Sequence, residues 1–242
     1  MRKTLAVTAL VLWTFLMVTG IARAQDGDIA PASPELTQQQ TVDKPEYLLF
    51  VPEGLDPSRK YPLIVAFSPS ANASGMISSW KDLATRYQCL VYASKVVRNG
   101  MDVPPVLKRI HEEHLPEIKK EWPVARGAAI TTGVSGGGMT AHLYAFFCPM
   151  DVAAVISQVG YIHENSLKKV KRYPKGKIAA LLTSPTDFNF KLISEDVKYL
   201  NKLGWQVRLW EHEKGHSRAP AEMVEEALEW VLQQDSIAKL LR

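Results

Sequence analysis

Three features of the sequence predict an α/β fold, a three-layer α/β/α sandwich around a mainly parallel sheet. Strand-like and helix-like stretches alternate along most of the chain, as a parallel sheet with crossover helices requires. Several strand stretches are apolar at nearly every position, among them LIVAF at 63–67, VAAVISQV at 152–159 and KIAALLT at 177–183. Strands buried on both faces read that way, whereas strands with one wet face alternate. Finally, 242 residues, 46% of them hydrophobic, suffice for one domain with a full core. No internal repeat marks a second.

The N-terminus reads as a secretory signal. Arg2 and Lys3 are its charged start, 5–21 is apolar, and Ala22-Arg23-Ala24 supplies the small residues before a cut. Cleavage after Ala24 is expected. A retained anchor is the alternative, since the apolar run is nearly long enough to span a bilayer. No cysteine lies near the cut to take a lipid, so no stable membrane anchor is expected after removal. Residues 25–43 are polar, with Pro31, Pro34 and three successive glutamines, and read as a disordered lead-in. The folded domain is then 44–242. Removing 1–24 takes Arg2, Lys3 and Arg23 from the 29 basic residues, leaving 26 against 25 acidic ones. That near-neutral balance gives no support for a nucleic-acid partner.

Within the domain the spacing predicts strands at 46–51, 63–67, 90–94, 128–130, 152–159, 177–183 and 206–210. Helices are predicted at 75–87, 107–122, 139–147, 190–203 and 219–232. The 107–122 helix carries Leu107, Ile110, Leu115 and Ile118 on one side. Cys89 and Cys148 are the two cysteines; export permits a disulfide between them, and two buried thiols are the other reading.

The chemistry centres on Gly133-Val134-Ser135-Gly136-Gly137, which lies between the 128–130 strand and the 139–147 helix. Strand, Gly-x-Ser-x-Gly and helix together form the tight turn that lifts a serine nucleophile above a sheet. Glycines two residues either side remove Cβ atoms that would collide there. The Gly136 N–H then points at a substrate carbonyl oxygen from a helix N-terminus. A simple Ser135 helix cap is the plainer alternative.

Sites in open parallel sheets form at the C-terminal ends of strands. After 177–183 the only carboxylate in Ser184-Pro185-Thr186-Asp187-Phe188 is Asp187. A turn-forming role competes for it. After 206–210 come His212 and His216. His216, following Gly215 and preceding the last helix, is preferred as the base; His212 sits at the strand end, where a packed histidine is commoner.

The order Ser135, Asp187, His216, each at a strand end, resembles that of the α/β-hydrolases. The stretch from about Tyr47 to Leu232 is similar to their secreted esterase and polyhydroxybutyrate-depolymerase-like branch, with little or no cap. The Pro149-Met150-Asp151 step also resembles that branch. The resemblance implies that Ser135 attacks, His216 takes and returns its proton, and Asp187 orients the imidazole. It also implies an oxyanion hole built from Gly136 and the loop after 63–67. Relatives carry His-Gly and a further residue there, whereas this chain has Phe67-Ser68-Pro69-Ser70. Pro69 has no N–H, so the second donor is expected from Ser68 or Ser70.

Trp80, Tyr161 and Phe188 are candidates for a substrate pocket, with ordinary packing as the competing role. No metal and no cofactor is expected. His111-Glu112-Glu113-His114 fails the zinc-protease pattern because residue 115 is leucine. The basic run at 167–177 reads as a solvated loop more readily than as a guide for anionic substrate. Asn72-Ala73-Ser74 fits a glycosylation triplet that reads as incidental. The expected function is a secreted or periplasmic serine hydrolase acting on an ester-containing small molecule or polymer. A serine peptidase on the same fold and a non-catalytic binding module are the alternatives.

Overall fold

The computed structural model of the chain describes residue 36, residues 38–163 and residues 173–242. The predicted signal segment and part of the basic run fall outside them. The strands are β1 (Gln40–Asp43), β2 (Tyr47–Val51), β3 (Tyr61–Phe67), β4 (Leu90–Ser94), β5 (Val124–Val134), β6 (Val152–Gln158), β7 (Ile178–Thr183) and β8 (Gln206–Glu211). They form one sheet in the order β1-β2-β4-β3-β5-β6-β7-β8. β1 and β2 run antiparallel, and every pair from β4 to β8 is parallel.

The continuous apolar runs follow from burial on two sides. In β3, Leu63, Val65 and Phe67 join one core while Ile64 and Ala66 join the other. The first core is covered by α2 (Pro104–Arg109), α3 (Leu115–Glu121), α4 (Gly136–Phe147) and α5 (Phe190–Lys202). The second is covered by α1 (Ala73–Arg86), α6 (Ala221–Leu232) and α7 (Asp235–Leu240). β8 closes the sheet with Gln206, Arg208 and Glu211 exposed, and polar, charged side chains suit an edge that must not pair further.

Two expectations need correction, and one open alternative is decided. The disordered lead-in does not extend to residue 43: Gln40–Asp43 pairs with β2, and Leu36 packs against the core. Thr41 and Val42 favour extended backbone, but only the waiting edge of β2 gives them hydrogen bonds. The predicted 107–122 helix starts earlier and is not uniform. Between α2 and α3 lies a π turn, Ile110–His114, in which the Leu115 N–H donates to Ile110 O. Pro116, at the start of α3, has no N–H to offer the preceding turn, and the widened turn accommodates it. Lastly, Cys89 and Cys148 are both buried free thiols. They belong to opposite cores, and burial pushes each up to about 12.

Candidate active site

β5 ends at Val134 and α4 begins at Gly136, leaving Ser135 alone on the turn with φ 53° and ψ −120°. A non-glycine residue with positive φ outside the left-handed helical region is strained and persists only when its surroundings hold it. They do. The Ser135 N–H donates to Gln158 O at 2.8 Å, and the Met139 N–H returns to Ser135 O at 3.0 Å. The flanking glycines are required by contact. A Cβ on Gly133 would lie 2.6 Å from Phe67 O, and one on Gly137 would overlap that same oxygen. The elbow therefore packs directly on the last residue of β3.

Two loops reach over the elbow. The loop after β7 turns at once, with the Asp187 N–H donating to Ser184 O at 2.9 Å. The Asp187 carboxylate is buried, and its Oδ1 accepts from the Asn189 N–H at 2.7 Å and from His216 Nδ1 at 3.0 Å. The loop after β8 turns at Gly215, φ 59°, and delivers His216. His216 Nε2 lies 2.9 Å from Ser135 Oγ. The structure thus brings together the three side chains singled out in the sequence, from positions 135, 187 and 216, in one hydrogen-bonded chain. Such a chain allows the imidazole to accept the hydroxyl proton as the oxygen attacks an electrophilic carbon.

His212 is not part of it. It is buried, its Nδ1 accepts from the Lys214 N–H at 3.1 Å, and burial lowers its pKa below the ordinary histidine value. It buttresses the turn that carries His216.

Three positioning residues escaped the sequence reading. Ser184 Oγ, fully buried, accepts from the Gly215 N–H at 3.2 Å and ties the acid loop to the histidine loop. Asn189 Nδ2 donates to Val159 O at 3.0 Å, fixing the acid loop to the end of β6. Gln158 holds Ser135 through its carbonyl and accepts from the Ala219 N–H through Oε1 at 3.1 Å. Their only local signal was a place at a strand end.

The oxyanion loop departs from simple expectation. The Ser70 N–H is directed at Ser68 Oγ, 3.2 Å away, and the two hydroxyl oxygens also lie 3.2 Å apart. Pro69 contributes only a carbonyl, which accepts from the Asn99 N–H at 2.9 Å. Of the sequence candidates, Gly136 lies at the N-terminus of the 12-residue α4, where unpaired N–H groups favour negative charge. It also borders a cavity of about 330 Å³, lined by Asn99, Met101, Val103, Met139 and Leu143 among others.

The aromatic candidates divide. Trp80 is only 1% exposed, on the buried face of α1 with Met76, Ile77 and Ala84, so the substrate reading gives way to packing. Tyr161 is half-buried against the core and stacked with His163, ring centres 6.4 Å apart. Phe188 is 75% exposed, and its ring stacks on that of His216 at 4.1 Å.

One grouping of metal-ligating atoms had no signature in the sequence. Donor atoms of His111, Cys148 and Asp151 lie within 4.8 Å of one another. They are spread over 40 residues and meet only because the π turn packs beside the end of α4. His111 Nδ1 lies 2.5 Å from Asp151 Oδ2, and Lys119 Nζ donates to Asp151 Oδ1 at 3.2 Å. The carboxylate is thus already compensated by these neighbours. His114, by contrast, faces Tyr92 through its Nδ1 at 3.0 Å.

The sheet order, with two antiparallel strands leading a parallel run and a strained serine elbow after β5, defines the α/β-hydrolase fold. Solved structures agree. A thermostable esterase superposes with TM-score 0.58 at 24% identity, over 81% of this chain and 62% of the esterase. This chain therefore spans less than two thirds of that esterase's length. The fluorophosphonate-binding serine hydrolase FphF of Staphylococcus aureus gives 0.61 at 10% identity, over 81% and 98%. A Bacillus cereus carboxylesterase gives 0.60 at 19% identity, over 76% and 92%. No family model and no curated protein matches the sequence.

Proposed function

We propose that this protein is an exported serine hydrolase that cleaves carboxylic esters through an acyl-enzyme on Ser135. The observation that carries the reading is the chain Ser135 Oγ–His216 Nε2 at 2.9 Å and His216 Nδ1–Asp187 Oδ1 at 3.0 Å, on a positive-φ serine. His216 takes the Ser135 proton as Oγ bonds to the ester carbon, then gives it to the departing alkoxide. Water repeats the cycle to release the acid. Asp187 holds the imidazole tautomer and offsets its positive charge. The esterase and carboxylesterase names of similar structures favour esters over amides. The cavity beside Gly136, walled on its apolar side by Met101, Val103, Met139 and Leu143, suits a compact acyl or alkoxy group. Export rests on the N-terminal sequence pattern. Among the described residues no helix is long and apolar enough to cross a membrane.

The test is a fluorophosphonate probe on wild type and Ser135→Ala, followed by a panel of short- and long-acyl esters beside peptide amides. Labelling of wild type alone, with turnover of esters, is expected. Equal labelling of both would remove Ser135 as nucleophile. No labelling of either would favour a binding module, and faster amide turnover a peptidase.

A further inference from the structure

The geometry points to the side-chain carboxamide of Asn99 as the second oxyanion donor, in the role that a backbone N–H of the loop after β3 would otherwise take. This rests on the ester-hydrolase reading and names a further catalytic residue within it.

The attack of Ser135 Oγ on an ester carbon moves the C=O π pair onto the carbonyl oxygen. That oxygen becomes an alkoxide while the Oγ proton passes to His216. The alkoxide needs preorganised donors, and a single N–H from Gly136 leaves half of the usual arrangement unfilled. In the loop after β3, residues 69 and 70 offer no unspent backbone donor for it. Pro69 has no N–H, and the Ser70 N–H is spent on Ser68 Oγ at 3.2 Å.

Asn99 stands beside both elements. Its backbone N–H is bonded to Pro69 O at 2.9 Å, and the neighbouring Arg98 bridges antiparallel to Ser70. This anchors the turn after β4 against the oxyanion loop. Its side chain reaches the elbow. A Cβ built on Gly136 would overlap Asn99 Oδ1 and lie 3.2 Å from Nδ2. The carboxamide therefore sits beside the Cα of Gly136, the residue whose N–H is the first donor. A side chain at residue 136 would have to displace it.

The carboxamide is also free to act. Among the described residues it has no hydrogen-bond partner, and it is exposed to the cavity it shares with Gly136. A half-turn about its terminal torsion, a broad two-fold rotation, exchanges Oδ1 and Nδ2. The amide can thus present N–H to a developing oxyanion. A carboxamide donor is neutral, so it stabilises the anion without disturbing the His216 charge cycle.

The experiment measures ester turnover and inhibition by an arylboronic acid, which forms a tetrahedral adduct on the serine, for wild type, Asn99→Ala and Asn99→Asp. Fluorophosphonate labelling of each accompanies it. For Asn99→Ala we expect kcat to fall about 10²–10³-fold with KM changed by less than about fivefold, and boronate affinity to weaken in parallel. Asn99→Asp keeps the shape but turns an acceptor toward the anion, so it falls at least as far. Both variants keep the backbone bond to Pro69, and their melting temperatures should stay near that of wild type. Turnover of Asn99→Ala within fivefold of a labelled, active wild type overturns the assignment alone. So does a loss of turnover with boronate affinity unchanged. A wild type that neither labels nor turns over any ester overturns the assignment together with the reading it rests on.

Discussion

Replacing Asp187 with asparagine tests the electrostatic half of the site with little change of shape. In the structure Oδ1 accepts both the Asn189 N–H at 2.7 Å and His216 Nδ1 at 3.0 Å, while the buried Oδ2 has no partner among the described residues. The amide of Asp187→Asn can keep its oxygen at the doubly used position and place Nδ2 where Oδ2 was. The imidazole tautomer is then retained, and what disappears is the negative charge facing the imidazolium. At 3.0 Å and an effective dielectric near 20, that attraction is about 5.5 kcal/mol at most. The retained amide dipole returns part of it. The net loss is roughly 3–5 kcal/mol of transition-state stabilisation, or about 10²–10⁴ in kcat. A buried Nδ2 without an acceptor should also cost about 1–3 kcal/mol of stability. Steady-state hydrolysis of a p-nitrophenyl ester, with thermal unfolding, reads both. Turnover within tenfold of wild type would mean that the imidazolium does not draw on this carboxylate, and would refute the electrostatic account.

Other perturbations read other parts of the molecule. Trp80→Ala should destabilise by roughly 3–5 kcal/mol while leaving turnover per folded molecule within a few-fold; a selective rise in KM would restore Trp80 as a substrate contact. Burial lowers the pKa of His114 and of His212 below the ordinary histidine value, so the unfolded chain binds more protons at mildly acid pH. Their contribution is whole above about pH 6.5 and is lost as pH falls below it. Melting temperature should drop from pH 7 toward 5, and less steeply in His212→Gln; identical slopes would contradict the assignment. Both thiols, buried and pushed up to about 12, should resist Ellman's reagent in the native state and react only on denaturation, a fast native reaction being the contrary result. Gly160→Ala places a Cβ 2.7 Å from Gly138 Cα and from Ser135 O, so it should lower both melting temperature and kcat; a fully active, fully stable variant would show the elbow to be more yielding than its packing implies.

Much of the fold was legible because it is written in local terms. β3, β6 and β7 announce themselves through runs that are apolar on both faces, and the structure seats each in the interior of the sheet. Element ends were less legible, because hydrogen-bond partners decide them. β5 runs from Val124 to Val134, well beyond the predicted 128–130, since β3 and β6 pair along it. β1 was missed for the same reason, as four residues acquire strand geometry only when β2 offers an edge. The π turn at 110–114 has no pattern of its own beyond a proline two residues on.

The sequence by itself determined the sandwich and the elbow. Burial of two sheet faces and a positive-φ serine between glycines are demands that neighbouring residues impose on one another. It also picked out Asp187 and His216 by their places after strands. Only the tertiary structure decided what surrounds them: Ser184 clamping Gly215, Gln158 bracing Ser135, Asn99 against Gly136, and Trp80 turned into the core. The first three contacts join residues 23 to 37 positions apart. They depend on which strands neighbour in the sheet and on the path each loop takes over its rim, and neither leaves a mark in local spacing.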